Sequence, residues 1–412
     1  MSKTTKLLPE LRFPEFREDG EWKELPLGNF LYEHKVKSDG QCEVHSVSVH
    51  KGVINQKEHL GRSFAAKDTS NYNLAHPKDV IYTKSPTGHF AFGNVKQSHL
   101  EINVIVSPLY GVFTPITPEA GYIIHCFFES PQRALKYLDP ITQKGAKNTI
   151  QITNQGFLSG LVRFPLSPSE QQKIANCLGS LDDLITAHSR KLDALQDHKK
   201  GLLQQLFPAE GETTPELRFP EFEGEWKGKP LKKLATYQNG KAYEKHIFDE
   251  GKYVVVNSRF VSTDGKVKKF TNSEFCAARK GDVLMVLSDL PKGRALAKCF
   301  FVTEDSKYGV NQRVSRLQSI NINDKFLYYR LNRHRSLLAY DDGITQTHLS
   351  KSDVEDCVLS VPSDLQEQLA IAECLTALDA LITTQTEQIA ALKTHKKGLM
   401  QQLFPNPERN KV

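Results

Sequence analysis

The chain has 412 residues, 39% of them hydrophobic and 25% charged, with a formal net charge of +6. That length exceeds one ordinary core, and no apolar run approaches the length that a membrane helix needs. Seven scattered cysteines without a Cys-x-x-Cys pair or zinc-type spacing argue against a disulfide framework or a zinc motif. The start, MSKTTKLLPELRF, lacks the apolar stretch of a signal peptide, and a cytoplasmic protein is expected.

In chain order, the first element is a lead-in, PELRFPEF at Pro9–Phe16, followed by Glu21-Trp22-Lys23. The same eight letters return at Pro215–Phe222, followed by Glu225-Trp226-Lys227. Residues 170–208 and 367–405 are a second repeat, ungapped at an offset of 197, with roughly 23 of about 39 positions identical. The pattern is lead-in, body, long helix, then the same again. It predicts five segments: 1–166 (lead-in and first body), 167–208 (first long helix), 209–363 (second lead-in and body), 364–405 (second long helix) and a tail, 406–412. The bodies, Leu27 to about Pro165 and Leu231 to about Pro362, have no comparable match. Like frames with unlike contents suggest two similar domains doing one kind of task on two targets.

The bodies read as α+β. Short β-branched or aromatic runs bounded by turn residues predict strands at 44–49, 79–83, 102–106 and 122–127, and at 253–257, 282–287, 298–302 and 314–317. Short helices are predicted at 132–138 and 324–335. Several loops carry groups suited to DNA. One contains Lys84, Thr87 and His89, and the loop read as its counterpart contains Lys292 and Arg294. Asn311 and Arg313, and Thr345, Gln346 and His348, lie in further amide- and hydroxyl-rich stretches. Lysine and arginine can reach phosphates or guanine, and amides can pair with adenine, yet plain hairpin turns use the same residues. Basic residues including Lys266, Lys268, Lys269, Arg279, Lys280 and Arg316 crowd the second body, which by itself suits any solvated face.

The long helices show apolar positions at intervals of four and three. These are Ile174, Leu178, Leu181, Ile185, Leu192, Leu195, Leu202 and Leu206, then Ile371, Leu375, Leu378, Ile382, Ile389, Leu392, Leu399 and Leu403. His188 and Lys199, and Gln385 and Lys396, occupy the missing seam places. A 3.5-residue period over about five heptads specifies a coiled coil, with each helix about 58 Å long. Ser167-Pro168-Ser169-Glu170 and Asp364 to Glu367 predict capped starts with a reciprocating glutamate. The short link from the first helix to the second body favours antiparallel pairing of the two seams within one chain. An intermolecular coiled coil or dimerisation stalk is the plainer alternative.

No catalytic constellation emerges. Phosphate-loop, dinucleotide, nucleophile-elbow and Asn/Asp-Pro-Pro-Tyr patterns are absent, and the fourteen histidines are scattered without ligand spacing. No catalytic or metal residue is assigned. The repeated Trp-containing lead-ins are expected to dock on a body or on the coiled coil.

The twice-used PELRFPEF…EW lead-in, the EQ-x-x-IA-x-CL-x-x-LD helix opening and the HKKGLxQQLFP close resemble the specificity subunit of Type I restriction-modification systems. They cover about a third of the chain. The resemblance implies an α+β protein with two target recognition domains in pseudo-two-fold arrangement, separated by an antiparallel coiled coil. It implies a noncatalytic reader of double-stranded DNA, each domain taking one half of a bipartite asymmetric target, with the helices setting the spacer. The implied partners are two modification (methyltransferase) subunits, which carry S-adenosylmethionine, and restriction subunits, which use ATP and Mg. No cofactor is expected on this chain itself. A coiled-coil protein-binding adaptor, or a self-contained DNA nuclease or methyltransferase, remains the competing reading of the residues.

Overall fold

The computed structural model describes residues 8–62, 66–144, 150–291 and 293–405. By its contacts the chain forms two compact units, Met1–His188 with Gln388–Val412, and Ser189–Glu387. Each long helix therefore lends one part to each unit.

The first unit is built on an antiparallel four-stranded sheet in the order Leu31–Glu33, Gly111–Pro115, Val80–Tyr82, Val95–Gln97. Predicted strands at 79–83, 102–106 and 44–49 appear as Val80–Tyr82, Val104–Val106 and His45–Ser48. The expected strand at 122–127 is instead part of a helix, Pro118–Phe128, whose first turn is capped by the Thr117 hydroxyl accepting the Ala120 N–H. Its residues are buried nearly all round, from Tyr122 through Cys126. A short buried apolar run carries no periodicity to separate helix from strand. The helix Pro131–Leu138 matches its prediction.

The second unit repeats the sheet order with unrelated residues: Ala235–Asn239, Val314–Ser319, Val283–Val286, Cys299–Phe301, again antiparallel. A second sheet pairs Tyr253–Val256 in parallel with Tyr308–Val310. The helix expected at 324–335 breaks into Asp324–Leu331 and Arg335–Leu338, because Arg333 adopts φ +55° between them. In each unit the strand after the lead-in tryptophan pairs with the strand that feeds a long helix. Lys23–Pro26 joins Leu161–Phe164, and Lys227–Pro230 joins Val358–Val361.

The long helices run Pro168–Gln205 and Leu365–Leu403. Of the predicted seam, Ile174, Leu178, Leu206, Ile371, Leu375, Leu378, Ile389 and Leu403 are buried and the other positions half-buried. In the first unit, Ile174 and Leu178 share a core with Met400, Leu403 and Phe404, while Asp182 meets Lys396. In the second, Leu206 and Phe207 share a core with Ile371 and Leu375, while Lys199 meets Asp379. Residue numbers rise on one helix as they fall on the other, so the pairing is antiparallel in both units.

The capping glutamates depart from expectation. Ser167 Oγ accepts the Glu170 N–H at 3.4 Å, but the Glu170 carboxylate does not return to the cap. It turns inward to the lead-in: Arg12 donates Nε and Nη2 to its two oxygens at 2.8 Å each, and Trp22 Nε1 donates at 3.1 Å. Glu367 receives Arg218 and Trp226 in the same way, at 2.8, 2.9 and 3.1 Å. The lead-in docks on the helix start, and Leu11 N–H and Leu217 N–H bond the Gln402 and Gln205 carbonyls at the other helix's end.

Candidate nucleic-acid interface

In the second unit, three of the stretches singled out by sequence converge. Ser288–Asp289 forms an antiparallel ladder with Thr347–His348. Leu287 N–H donates to the Arg313 carbonyl at 2.9 Å, and its own carbonyl accepts Leu349 N–H at 2.8 Å. The segments containing Asn311–Arg313, Ser288–Arg294 and Gly343–His348 thus meet beyond the strand Val283–Val286.

Their side chains divide by role. Arg294, Arg313, Gln346 and His348 are exposed. Thr345 is exposed but donates its hydroxyl to Asp342 Oδ2 at 2.9 Å, closing a turn. Asn311 is buried, and its amide faces Glu244 at 3.5 Å, beside Gln312 at 2.9 Å from the same oxygen. It supports the loop from within. Lys292 lies outside the described residues. Asp289 accepts the backbone N–H groups of Leu290, Ala295 and Leu296 at 2.9, 2.6 and 3.3 Å, tying down the loop that carries Arg294. A Cβ on Gly293 would sit 2.1 Å from Asp289 Oδ2, so only glycine admits this carboxylate.

In the first unit, residues 84–89 form a loop between Val80–Tyr82 and Val95–Gln97. Thr87 and Phe90 exchange backbone hydrogen bonds at 3.0 Å, and Ser85–His89 are exposed at the tip. Lys84 stands at the base with φ +59°, half-buried; burial lowers its pKa and Glu33 opposes the shift. Thr87 Oγ1 donates to the Ser85 carbonyl at 3.2 Å. His89 borders an open cavity of about 810 Å³, with Arg133, Lys136, Arg163 and Lys397 among its walls. Arg133 is spent internally, donating to the carbonyls of Phe127, Cys126 and Met400 with its guanidinium 4.7 Å from the Phe404 ring centre.

Each body is also fastened to the helix pair by a charged junction that sequence reasoning did not anticipate beyond noting polar seam residues. In the first unit Lys396 bonds Asp182 at 2.7 and 2.8 Å and Glu129 at 3.0 Å, and Tyr122 donates to Asp182. Burial works against the Lys396 ammonium, but Glu129 and Asp182 outweigh it and raise its pKa. Lys96 bonds Glu129 at 2.9 Å. In the second unit Lys199 bonds Asp379, and Tyr329 donates to Asp379 at 2.7 Å.

His34, His76 and Asp79 gather within 4.8 Å, a spacing that a metal would accept. However, His34 Nδ1 accepts the Val36 N–H at 3.2 Å, which leaves a neutral ring's proton on Nε2, pointed at Asp79 Oδ2 at 2.9 Å. Thr114 and the His76 N–H complete the carboxylate's bonds at 2.8 Å each. The cluster is satisfied as a hydrogen-bonded brace. No helix among the described residues is long and apolar enough to cross a membrane.

Residues 223–394 match the family described as Type I restriction modification DNA specificity domain. The Type I restriction enzyme MjaVIII specificity subunit of Methanocaldococcus jannaschii is 25% identical over 268 residues, 61% of this chain and 63% of that protein. The chain's match thus spans less than two thirds of that relative's length. The putative MjaX specificity subunit from the same organism is 25% identical over 317 residues, 71% of this chain and 69% of that protein. The crystal structure of a Type I restriction-modification S subunit from M. genitalium shares the fold, with a TM-score of 0.62 at 13% identity over 97% of this chain and 99% of that one. The repeated frame and the domain matched at residues 223–394 agree, and the chain is similar to Type I restriction-modification specificity subunits.

Proposed function

We propose that this chain is the noncatalytic DNA-reading subunit of a Type I restriction-modification complex, in which each unit reads one half of a bipartite, asymmetric target. One observation carries the reading: the two units repeat one sheet order and one set of helix junctions, while their loops differ in residue and length. A protein that reads one class of ligand twice needs the same support with different readers. In the second unit the readers are Arg294, Arg313, Gln346 and His348, where arginine can pair with guanine and glutamine with adenine in a major groove. In the first unit they are Lys84, Thr87 and His89.

The long helices, shared by both units, set the spacer between half-sites. At about 57 Å each, they match at most about 17 base pairs of straight duplex, room for two short half-sites and a gap near one helical turn. Two modification subunits would supply S-adenosylmethionine and the methyl transfer, and restriction subunits would supply ATP- and Mg-dependent cleavage. This chain contributes recognition and assembly. Exchanging residues 231–362 for another recognition domain, with both helices kept, should change methylation at one half-site only. Unchanged specificity, or a change at both half-sites, would defeat the division of labour.

A further inference from the structure

We propose that two matched junctions, Tyr122–Asp182–Lys396 and Tyr329–Asp379–Lys199, are the positioning residues that hold the helix pair in one register and so fix the spacing between half-sites. The proposal rests on the specificity reading above and names the residues that give it a single spacer.

Each junction grips one carboxylate from two directions. Asp182, on the first long helix, takes Lys396 from the second at 2.7 Å and the hydroxyl of Tyr122 from the body helix Pro118–Phe128. Asp379, on the second long helix, takes Lys199 from the first and the hydroxyl of Tyr329 from the body helix Asp324–Leu331 at 2.7 Å. Asp182 and Asp379 are repeat equivalents, as are Lys199 and Lys396. Each pair therefore joins an aspartate of one copy to the lysine of the other. The partner numbers add to the same value in both, so the two junctions demand one register.

The aliphatic seam does not demand it. Leucine or isoleucine recurs every heptad, so a slide of seven residues, roughly 10 Å, sets most aliphatic side chains against others of the same kind. The same slide would carry Asp182 opposite Leu403 or Ile389, and Asp379 opposite Leu206 or Leu192. A carboxylate pressed against a leucine layer without a partner is strongly disfavoured. Lys396, only 6% exposed, would lose its three carboxylate contacts as well. Lys396 is buried, but Asp182, Lys199 and Asp379 are partly exposed, so the pairs add little net stability and register is the better reason for them. The tyrosines add a second constraint, because the same aspartate that sets register also sets how each body helix sits on its rod.

The test uses the full chain assembled with its modification subunits and duplexes carrying both half-sites at the native spacer and at spacers one and two base pairs longer or shorter. In the double variant Lys199→Met, Asp379→Leu, Tyr329 keeps the Thr376 hydroxyl at 3.3 Å, so the fold is expected to survive. The preference for the native spacer over its neighbours should fall about tenfold, the factor that 1.4 kcal/mol of register preference supplies, with both half-site sequences unchanged. Lys199→Arg should retain the preference. A wild-type spacer ratio in the folded double variant that persists when Lys396→Met is added, so that neither ion pair remains, overturns the proposal. If that variant fails to fold, Tyr329→Phe decides by the same ratio. A wild-type complex that ignores spacer length would refute the specificity reading itself, and this proposal with it.

Discussion

Replacing Glu170 with alanine removes the acceptor on which the first lead-in depends. Glu170 is 1% exposed and holds the Arg12 guanidinium through two bonds of 2.8 Å, with Trp22 Nε1 at 3.1 Å. Breaking a buried ion pair from one side costs about 3–5 kcal/mol, and an orphaned indole N–H adds to it. Arg12 retains the carbonyls of Asp19 and Gly20 at 2.6 and 3.1 Å, which places the expected loss near the lower end, about 3 kcal/mol. Glu367→Ala should cost less, about 2 kcal/mol, because the Arg218 side chain is 17% exposed against 8% for Arg12 and is better served by water. The two tryptophans of the chain sit one at each site, so single-tryptophan proteins report each unit separately. Urea unfolding of Glu170→Ala in a Trp226→Phe background, followed by Trp22 fluorescence, should show the loss as a lower midpoint. A shift below about 1 kcal/mol would refute the clamp as a buried, paired charge.

Acidification should weaken the first unit through His125, whose pKa burial pushes down to about 4 from 6.5, helped by Lys96. Between those values the unfolded chain binds the extra proton, so this contribution is intact above pH 6.5 and is lost as pH falls toward 4, on the order of 3 kcal/mol in all. Urea midpoints at pH 7.5, 5.5 and 4.5 should fall steadily, and His125→Gln should flatten the slope; equal slopes in both proteins would remove His125 from the account. Gly293→Ala should expel the Asp289 carboxylate from the amides of Leu290, Ala295 and Leu296, at about 2 kcal/mol. On the proposed division of labour, binding assays should show the weakening at one half-site alone, with the other bound as before.

What the sequence disclosed depended on how much of the physics is periodic. The long helices were legible because a 3.5-residue repeat and a proline-bounded end are local signals. Their antiparallel sense was legible because a short connection leaves little choice. The helix Pro118–Phe128 was not, since tertiary burial on all sides erased its amphipathic stripe; Thr117-Pro118-Glu119 was the one available signal of its start. Glu170 was misread for a different reason. A glutamate three residues after a serine suits a capping box, but a buried bidentate arginine is the stronger partner, and Arg12 lies 158 residues away. In the loops, residue chemistry pointed to Arg294, Arg313 and His348 individually. Their meeting through Leu287 depends on a pairing between residues 288–289 and 347–348 that no local pattern announces.

The placement of the repeats explains why the two copies agree where they do. The first unit buries Leu403 and Phe404, the close of the second copy, with Trp22, the lead-in of the first. The second unit buries Leu206 and Phe207, the close of the first copy, with Trp226, the lead-in of the second. Each helix end is thus a core element of the other copy's unit. A change in one close would have to suit a lead-in and a body from the opposite half of the chain, so the closes and lead-ins are held to one common form. The loops that carry Arg294, Arg313, Gln346 and His348 face no such requirement: those side chains are exposed, and their supports, such as Asp289 and Leu287, lie within their own body. Reciprocal exchange of helix ends therefore accounts for near-identity in the frame and unrelated residues in the exposed loops, and it does so from packing alone.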